Sequence, residues 1–217
     1  MIMKRIIALN CSPRQGWNTD LMVKEAARGA ESAGAEVELG QLYKLKNYTG
    51  CMSCFGCKSG KNLGRCIYPD DYKPLLEKIH EADGLILGTP IYLGDFSSRL
   101  RCLYERLIFQ YGAYHEDWSF NYNDRKKPVL LVITCNAPLF TFDEMGYTQM
   151  IERYRTELNR SIGPTEIVIA DETMQVSNYE KYDWTLFDYE ERRRRRKEVF
   201  PIQLEEAYRM GAELAGR

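Results

Sequence analysis

Short apolar runs alternate along the chain with longer segments whose apolar residues recur at helical spacing. The runs at 5–9, 84–88 and 128–133 contain few polar residues, which is typical of strands buried on both faces of a parallel sheet. Two further segments, 35–39 and 165–169, bring the number of predicted strands to five. The pattern therefore predicts a buried parallel sheet.

Amphipathic segments lie between these strands and predict helices. One helix is predicted to begin at residue 20, and four more are predicted over 72–82, 97–109, 147–161 and 203–215. Strands that alternate with helices predict an α/β fold, a doubly wound parallel sheet of five strands with helices on both faces, for which we propose the order 2-1-3-4-5. With 217 residues and 44% hydrophobic content, residues 1–217 are expected to form a single domain.

A polar loop, residues 11–19, joins the first predicted strand to the first helix. Such a junction gathers backbone N–H groups and the positive end of a helix at the carboxyl edge of a sheet, which favours phosphate binding. The loop has neither the G-x-G-x-x-G nor the Walker pattern, so binding of dinucleotides or nucleoside triphosphates by those loops is disfavoured. The residues alone leave two interpretations open, an anion cradle and an ordinary polar loop.

The pattern Ser12-Pro13-Arg14, followed by Asn18-Thr19, resembles the phosphate loop of the flavodoxin-like NAD(P)H-dependent FMN reductases. In that family the serine, arginine, asparagine and threonine of the loop hold the phosphate of FMN. The resemblance therefore implies that Ser12, Arg14, Asn18 and Thr19 bind the cofactor phosphate.

Two later loops at the same predicted edge extend the resemblance. A Thr-Pro-x-Tyr segment follows the third strand and is similar to the family's second flavin loop, although a rigid turn with an exposed aromatic ring is the alternative. The loop after the fourth strand is similar to the third flavin-contacting loop. The flavin-binding residues implied in these two loops are Thr89, Pro90, Ile91, Tyr92, Gly94, Thr134 and Asn136.

A cysteine-rich insertion at 48–70 contains Cys51, Cys54, Cys57 and Cys66. This spacing resembles the compact ferredoxin-type run and can hold a 4Fe–4S cluster. Zinc, a redox Cys-x-x-Cys pair and reduced, partly buried thiols are alternatives. The position of the insertion agrees with the iron–sulfur flavoproteins, which are relatives of the same reductases.

Residues 110–127 are rich in aromatic side chains and show no helical period. A long segment of this kind is typical of a lid or an interface, and the density of aromatic residues, among them Trp118 and Phe120, favours a contact between subunits. Of the two histidines, His80 is expected at the surface and His115 in this aromatic segment.

Charge and composition limit the possible partners. A net charge of −1 argues against a protein built to coat nucleic acid. The arginine run 192–196 is flanked by glutamates, so a solvated or interface helix is favoured over a nucleic-acid site. The longest apolar run, 129–133, is too short to span a membrane, and seven cysteines without a secretory signal predict a cytoplasmic protein.

Together, the resemblances imply a flavodoxin-like three-layer α/β/α sandwich with a five-stranded parallel sheet. They also imply an FMN-dependent oxidoreductase that takes hydride from NADPH or NADH and passes electrons to a quinone, a flavin or another acceptor. Because the chemistry is centred on the flavin, no catalytic side chain is required. The family also implies a homodimer or homotetramer. One alternative is an iron–sulfur flavoprotein electron carrier fed by ferredoxin, and another is a zinc-stapled module that binds nucleic acid through the arginine run.

Overall fold

The computed structural model describes residues 3–117 and 121–217. The strands are β1 (Arg5–Asn10), β2 (Glu36–Gln41), β3 (Gly84–Tyr92), β4 (Asp95–Phe96), β5 (Val129–Thr134) and β6 (Thr165–Ala170). The α-helices are α1 (Asn18–Ser32), α2 (Tyr72–Glu81), α3 (Ser98–Tyr111), α4 (Tyr147–Ser161), α5 (Tyr189–Glu198) and α6 (Phe200–Gly216).

Five strands form a parallel sheet in the order β2-β1-β3-β5-β6. Ile7 of β1 lies opposite Glu38 of β2 on one side and Leu85 of β3 on the other. The two-residue strand β4 pairs antiparallel with the end of β3. The predicted order 2-1-3-4-5 is therefore confirmed, because β5 and β6 are the fourth and fifth parallel strands along the chain.

Alternate residues of each central strand enter two separate cores. Ile7 and Leu9 pack against α2, α3 and α4, whereas Ile6 and Ala8 pack against α1 and α6. Burial on both faces explains why these strands are continuous apolar runs rather than alternating ones. The three-layer α/β/α arrangement follows directly.

Helix α6 runs closely beside α1. A Cβ atom added at Gly29 would lie 1.9 Å from the carbonyl oxygen of Tyr208, and one added at Gly211 would lie 1.9 Å from that of Ala26. Only glycine permits this backbone approach. The crossing fixes the C-terminal helices along α1 and brings the end of α5 next to the first residue of α1.

The expectation that His80 lies at the surface is wrong. His80 is 6% exposed, and its Nδ1 atom lies 2.8 Å from Arg65 Nη1 and 3.1 Å from the Tyr111 hydroxyl. The ammonium of buried Lys127 donates to the His80 carbonyl at 2.6 Å. Burial, together with the charges of Arg65 and Lys127, lowers the pKa of His80 to about 4, so the folded protein holds this imidazole neutral.

We expect this neutral histidine to make stability depend on pH. The unfolded chain takes up a proton below a pKa of about 6.5, whereas the folded chain does so only near pH 4. Stability should therefore fall as the pH drops from 6.5 toward 4. Urea titrations at pH 7.5 and pH 5.5 should show a smaller change in midpoint for His80→Gln than for the unmodified chain. Equal changes in the urea midpoint of the two proteins would contradict the conclusion that the folded chain holds His80 neutral.

The aromatic segment at 110–127 is attached to the fold at both ends. Its first two residues close α3, and Asn123 and Lys127 near its other end are buried. Tyr114, between these ends, is 75% exposed. Trp118 and Phe120 lie outside the described residues.

No helix in the described part of the chain is both long enough and apolar enough to cross a membrane.

Candidate functional site

The carboxyl ends of β1, β3 and β5 enclose a cleft of about 260 Å³. It lies where the strand order reverses, since β1 is followed along the chain by β2 on one side and has β3 on the other. Nine of the predicted flavin residues line it: Ser12, Arg14, Asn18, Thr19, Pro90, Ile91, Tyr92, Thr134 and Asn136. The fold thus brings three loops that are distant in sequence to one opening.

Asp20 organises the first loop. Its carboxylate accepts hydrogen bonds from the Asn10 side chain at 2.9 Å and from the Gly16 N–H at 2.7 Å, and it pairs with Lys24 at 2.7 Å. Burial alone would raise the pKa of Asp20, but the bonds from Lys24, Gly16 and Asn10 outweigh it and hold the pKa below its usual value. The loop is therefore held in shape by a buried, ionised carboxylate.

The N-terminus of α1 faces this loop without a capping side chain. Its N-cap residue is Trp17, which offers no side-chain oxygen to the first N–H groups. The Thr19 hydroxyl lies 2.7 Å from that of Thr134, and the Arg14 guanidinium donates to the carbonyl of Gln175. Free helix N–H groups beside hydroxyls and an arginine provide what a phosphate needs.

The second loop is shorter than the sequence suggests, because β3 continues to Tyr92. Leu93 and Gly94 then form a two-residue turn to β4, with φ values of 51° and 84°. Thr89 does not line the cleft. It is buried, and its hydroxyl accepts from the N–H of Ser97, whose own hydroxyl donates to the Cys11 carbonyl at 2.6 Å. Thr89 therefore holds Ser97, which in turn holds the start of the loop that follows β1.

Gly94 is also absent from the lining of the cleft. Its positive φ identifies its role as a turn residue, which allows the hairpin to close tightly. Of the eleven predicted flavin residues, Thr89 and Gly94 thus have positions that shape the second loop rather than the surface of the cleft.

Asn136 in the third loop has an unused acceptor. Its Oδ1 atom is buried and has no hydrogen-bond partner among the described residues, while Arg192 donates to its backbone carbonyl at 3.2 Å. The neighbouring Cys135 is buried, which raises the pKa of its thiol to about 12 and keeps it protonated. A buried acceptor at the cleft wall fits a ligand that carries N–H or O–H groups.

Five further residues line the cleft: Cys135, Trp17, Thr173, Gln175 and Trp184. The last three belong to the segment that follows β6. Its backbone is tied to the first loop, since the Met174 carbonyl accepts from Asn18 Nδ2 at 2.8 Å and from Trp17 Nε1 at 3.1 Å. The sequence held one signal for this wall, because the fifth parallel strand must also end at the same edge.

Cys51, Cys54, Cys57 and Cys66 line one small cavity together with Arg106 and Gln110. This cavity is separate from the cleft, and its volume is about 20 Å³. The loop that carries the first three cysteines holds Ser53 and Phe55 at positive φ, 50° and 56°. These turns reverse the chain between successive cysteines.

Two residues that line the cysteine cavity each have a buried donor nitrogen without a partner in the described part of the chain. Arg106 Nε and Gln110 Nε2 make no hydrogen bond within the described residues. Arg106 also donates to Cys66 Sγ at 3.3 Å, and its Nη1 lies 2.5 Å from the buried Asp70 carboxylate. Unpaired donors in a cavity lined by four thiols favour an occupant with negative charge.

The cysteines do not form a site for a single metal ion. Within residues 3–117 and 121–217, no three His, Cys, Asp or Glu side chains are grouped so that they could hold one. A mononuclear zinc site needs four ligands at about 2.0–2.3 Å from one centre. Four cysteines are also the donor set that ligates a 4Fe–4S cluster.

The parallel sheet, the order of its strands and the cleft at the switch point define a flavodoxin-like α/β/α protein. A solved structure of an NAD(P)H:quinone oxidoreductase from Methanothermobacter marburgensis superimposes with a TM-score of 0.73 at 15% identity, covering 98% of this chain and 99% of that one. An azoreductase from Bacillus anthracis gives a TM-score of 0.63 at 14% identity, covering 97% and 100%. At these identities the likeness shows the fold alone.

The sequence comparisons identify the family. The model for NADPH-dependent FMN reductases matches residues 4–138, which is more than half of the 217 residues. The chain belongs to this family. It is also 37% identical over 102 residues to an iron-sulfur flavoprotein of Methanocaldococcus jannaschii, a match that covers 47% of this chain and 51% of the relative. The chain thus spans about half the length of the curated relatives it matches.

Proposed function

We propose that this protein binds FMN in the cleft and uses it to oxidise NADPH or NADH and to reduce an acceptor such as a quinone or a free flavin. The observation that carries the proposal is the uncapped N-terminus of α1, which meets Arg14 and the hydroxyls of Ser12 and Thr19 at the switch point of the sheet. When bound, FMN supplies the chemistry, because its ring accepts a hydride and passes the electrons on.

The protein's part is to bind and orient the cofactor. Ser12, Arg14 and Thr19 are placed to hold the phosphate, and the unused Oδ1 of Asn136 can accept a hydrogen bond from the flavin. Trp184, which is 38% exposed, also lines the cleft and offers an aromatic surface to a bound ligand. Among the described residues, this arrangement assigns no side chain the role of a general acid or base.

Stopped-flow mixing under argon tests this function. Protein loaded with FMN should lose its flavin absorption within seconds after mixing with NADPH or NADH, and it should recover that absorption when 1,4-naphthoquinone is added. Free FMN at the same concentration is the control for the uncatalysed reaction. Flavin that stays oxidised with both nucleotides would overturn the proposed activity.

A second candidate is an electron carrier that holds a 4Fe–4S cluster as well as FMN. The supporting observation is the single cavity that the four cysteines share with the unpartnered donors of Arg106 and Gln110. In this case Cys51, Cys54, Cys57 and Cys66 would hold the cluster, which supplies one-electron transfer when bound. Curated relatives carry the name iron-sulfur flavoprotein, which agrees with this candidate.

Chemical analysis separates the two candidates. Protein purified without oxygen should contain about four iron and four sulfide atoms per chain if the cysteines hold a cluster. It should then be reduced faster by reduced ferredoxin than by NADPH. Iron-free protein that still oxidises NADPH would favour the reductase, with the cysteines present as reduced thiols.

The assembly and the compartment complete the proposal. We expect a homodimer or homotetramer in which the exposed part of the 110–127 segment, including Tyr114, contacts a second subunit. All seven cysteines are free, which agrees with a reducing cytoplasm.

The zinc-stapled alternative is less well supported, since the arginines of the 192–196 run bind partners within the chain.

A further inference from the structure

The five consecutive arginines of α5 divide into two groups according to their partners. Arg193 and Arg194 are exposed and pair with glutamates of the same helix at 2.7–3.2 Å. Pairs of this kind contribute little, because solvent screens them. Arg192, Arg195 and Arg196 instead reach other parts of the fold.

Arg192 and Arg195 have carboxylate partners in the segment that follows β6. Arg192 pairs with Glu172 at 3.0 Å, and Arg195 pairs with Asp171 and Glu172, each at 3.1 Å. Their positive charges are therefore compensated. They attach α5 to the wall of the cleft.

Arg196 differs from the other four arginines. Within residues 3–117 and 121–217, no carboxylate forms an ion pair with it, and its Nη1 atom donates to Asn18 Oδ1 at 2.7 Å. Its guanidinium lies 4.2 Å from the centre of the Phe200 ring and 5.5 Å from that of the Trp17 ring. Burial lowers the pKa of Arg196, as expected for a half-buried cation that has no counter-ion.

The charge of Arg196 lies beside the N-terminus of α1. Asn18 is the first residue of α1 and lines the cleft, so Arg196 adds a positive charge beside the uncapped helix N-terminus. Arg14, on the same loop, likewise has no ion pair within the described part of the chain. Asp20, the acidic residue in the first turn of α1, already pairs with Lys24 at 2.7 Å. Arg14 and Arg196, which have no ion pair among the described residues, therefore leave positive charge near this helix N-terminus that a phosphate dianion would neutralise.

We propose that Arg196 is a positioning residue for the phosphate of the bound flavin nucleotide, which it serves by holding Asn18 and by adding positive charge at that end of the cleft. The inference rests on the proposed binding of FMN. Because Asn18 Oδ1 accepts from Arg196 and Nδ2 donates to the Met174 carbonyl, the orientation of the amide is fixed, and Nδ2 has a second hydrogen to donate. Arg196 lies beyond residue 138, where the family match ends.

The test compares FMN with riboflavin, which has the same ring but no phosphate. Dissociation constants are measured from the quenching of flavin fluorescence at 0.1 M salt. Arg196→Gln should weaken FMN binding by about tenfold, the loss expected for one charged hydrogen bond. Its affinity for riboflavin should change by less than about twofold, because the ring contacts remain intact. A merely structural role would weaken both ligands equally.

Matched controls come from the same run of arginines. Arg193→Gln removes the same charge from the exposed face of α5 and should leave both dissociation constants unchanged. Arg196→Lys keeps the charge but loses the guanidinium geometry, and should recover part of the FMN affinity. In the Asn18→Ala background, adding Arg196→Gln should weaken FMN binding less than it does alone, since the two residues act together.

The outcomes separate this inference from the proposed function. Unmodified protein that binds neither flavin would overturn both. Unmodified protein that binds FMN, with Arg196→Gln either equal to it or weakened equally for FMN and riboflavin, would overturn only the role of Arg196. If Arg196→Gln does not fold, the same comparison with Arg196→Lys decides, because a lysine that lowers both affinities equally contradicts the proposal.

Discussion

Replacing Arg106 with methionine is expected to lower the free energy of unfolding by about 3–5 kcal/mol, because it leaves a buried carboxylate without its partner. Arg106 is 2% exposed, and its Nη1 lies 2.5 Å from Asp70, which is 8% exposed. Asp70 also accepts from the N–H groups of Thr49 and Tyr72, so its charge is held in place after the substitution. For a chain of this length the melting temperature should fall by about 10 °C.

An exposed arginine provides the control for this substitution. Arg209→Met on α6 removes ion pairs with Glu206 and Glu213 that solvent screens, so it should lower the stability far less than Arg106→Met does. Adding Asp70→Asn to Arg106→Met should restore part of the stability, since the uncompensated charge disappears. Chemical denaturation measures all four proteins. A loss below about 1 kcal/mol for Arg106→Met would contradict the role of this pair.

Substituting Asp20 with alanine should weaken FMN binding by about 100-fold, or about 2.7 kcal/mol. The carboxylate holds the side chain of Asn10 and the N–H of Gly16, so its removal frees the backbone of the phosphate loop. The lost negative charge gives little compensation, because Lys24 already pairs with it at 2.7 Å. Fluorescence titration measures the effect.

Glu25→Ala is the matched control, because Glu25 lies on the same helix and pairs only with Arg28 in the described structure. It should leave the affinity for FMN unchanged. The depressed pKa of Asp20 adds stability above the unfolded pKa of about 3.9, and this stability is lost as the pH falls through the folded value. The stability difference between the unmodified chain and Asp20→Asn should therefore shrink below about pH 4. An unchanged FMN affinity in Asp20→Ala would refute its organising role.

The sheet could be predicted from the sequence because its strands bury both faces. The apolar runs around Ile7, Ile86 and Leu131 are typical of central parallel strands, and the helices between them predict a parallel sheet. The strand β4 could not be predicted in this way, because two residues carry no period. It forms because Leu93 and Gly94 turn the chain back on itself.

The three loops of the cleft were accessible to prediction because each follows an apolar strand and carries a short motif that resembles a flavin loop of the family. The wall formed by Thr173, Gln175 and Trp184 was not, since it depends on contacts such as that of Trp17 Nε1 with the Met174 carbonyl, 157 residues away. The contact of Arg196 with Asn18 spans 178 residues. Local patterns carry no information on such pairs.

The burial of His80 likewise could not be predicted from the residues next to it in sequence. It lies in the last turn of α2, and burial comes from Arg65, Tyr111 and Lys127, none of which is close to it in sequence. The cysteines form a contrasting case. Their spacing predicted one shared location, and the structure places all four around one cavity.

The central claim is that FMN binds at the carboxyl edge of the sheet, and mapping of backbone amide chemical shifts during an FMN titration tests it most directly. The claim predicts that the largest changes fall at residues 12–20, 91–95 and 134–137, with saturation at one FMN per chain. Changes centred instead on the cysteine cavity, or the absence of changes at saturating FMN, would contradict it.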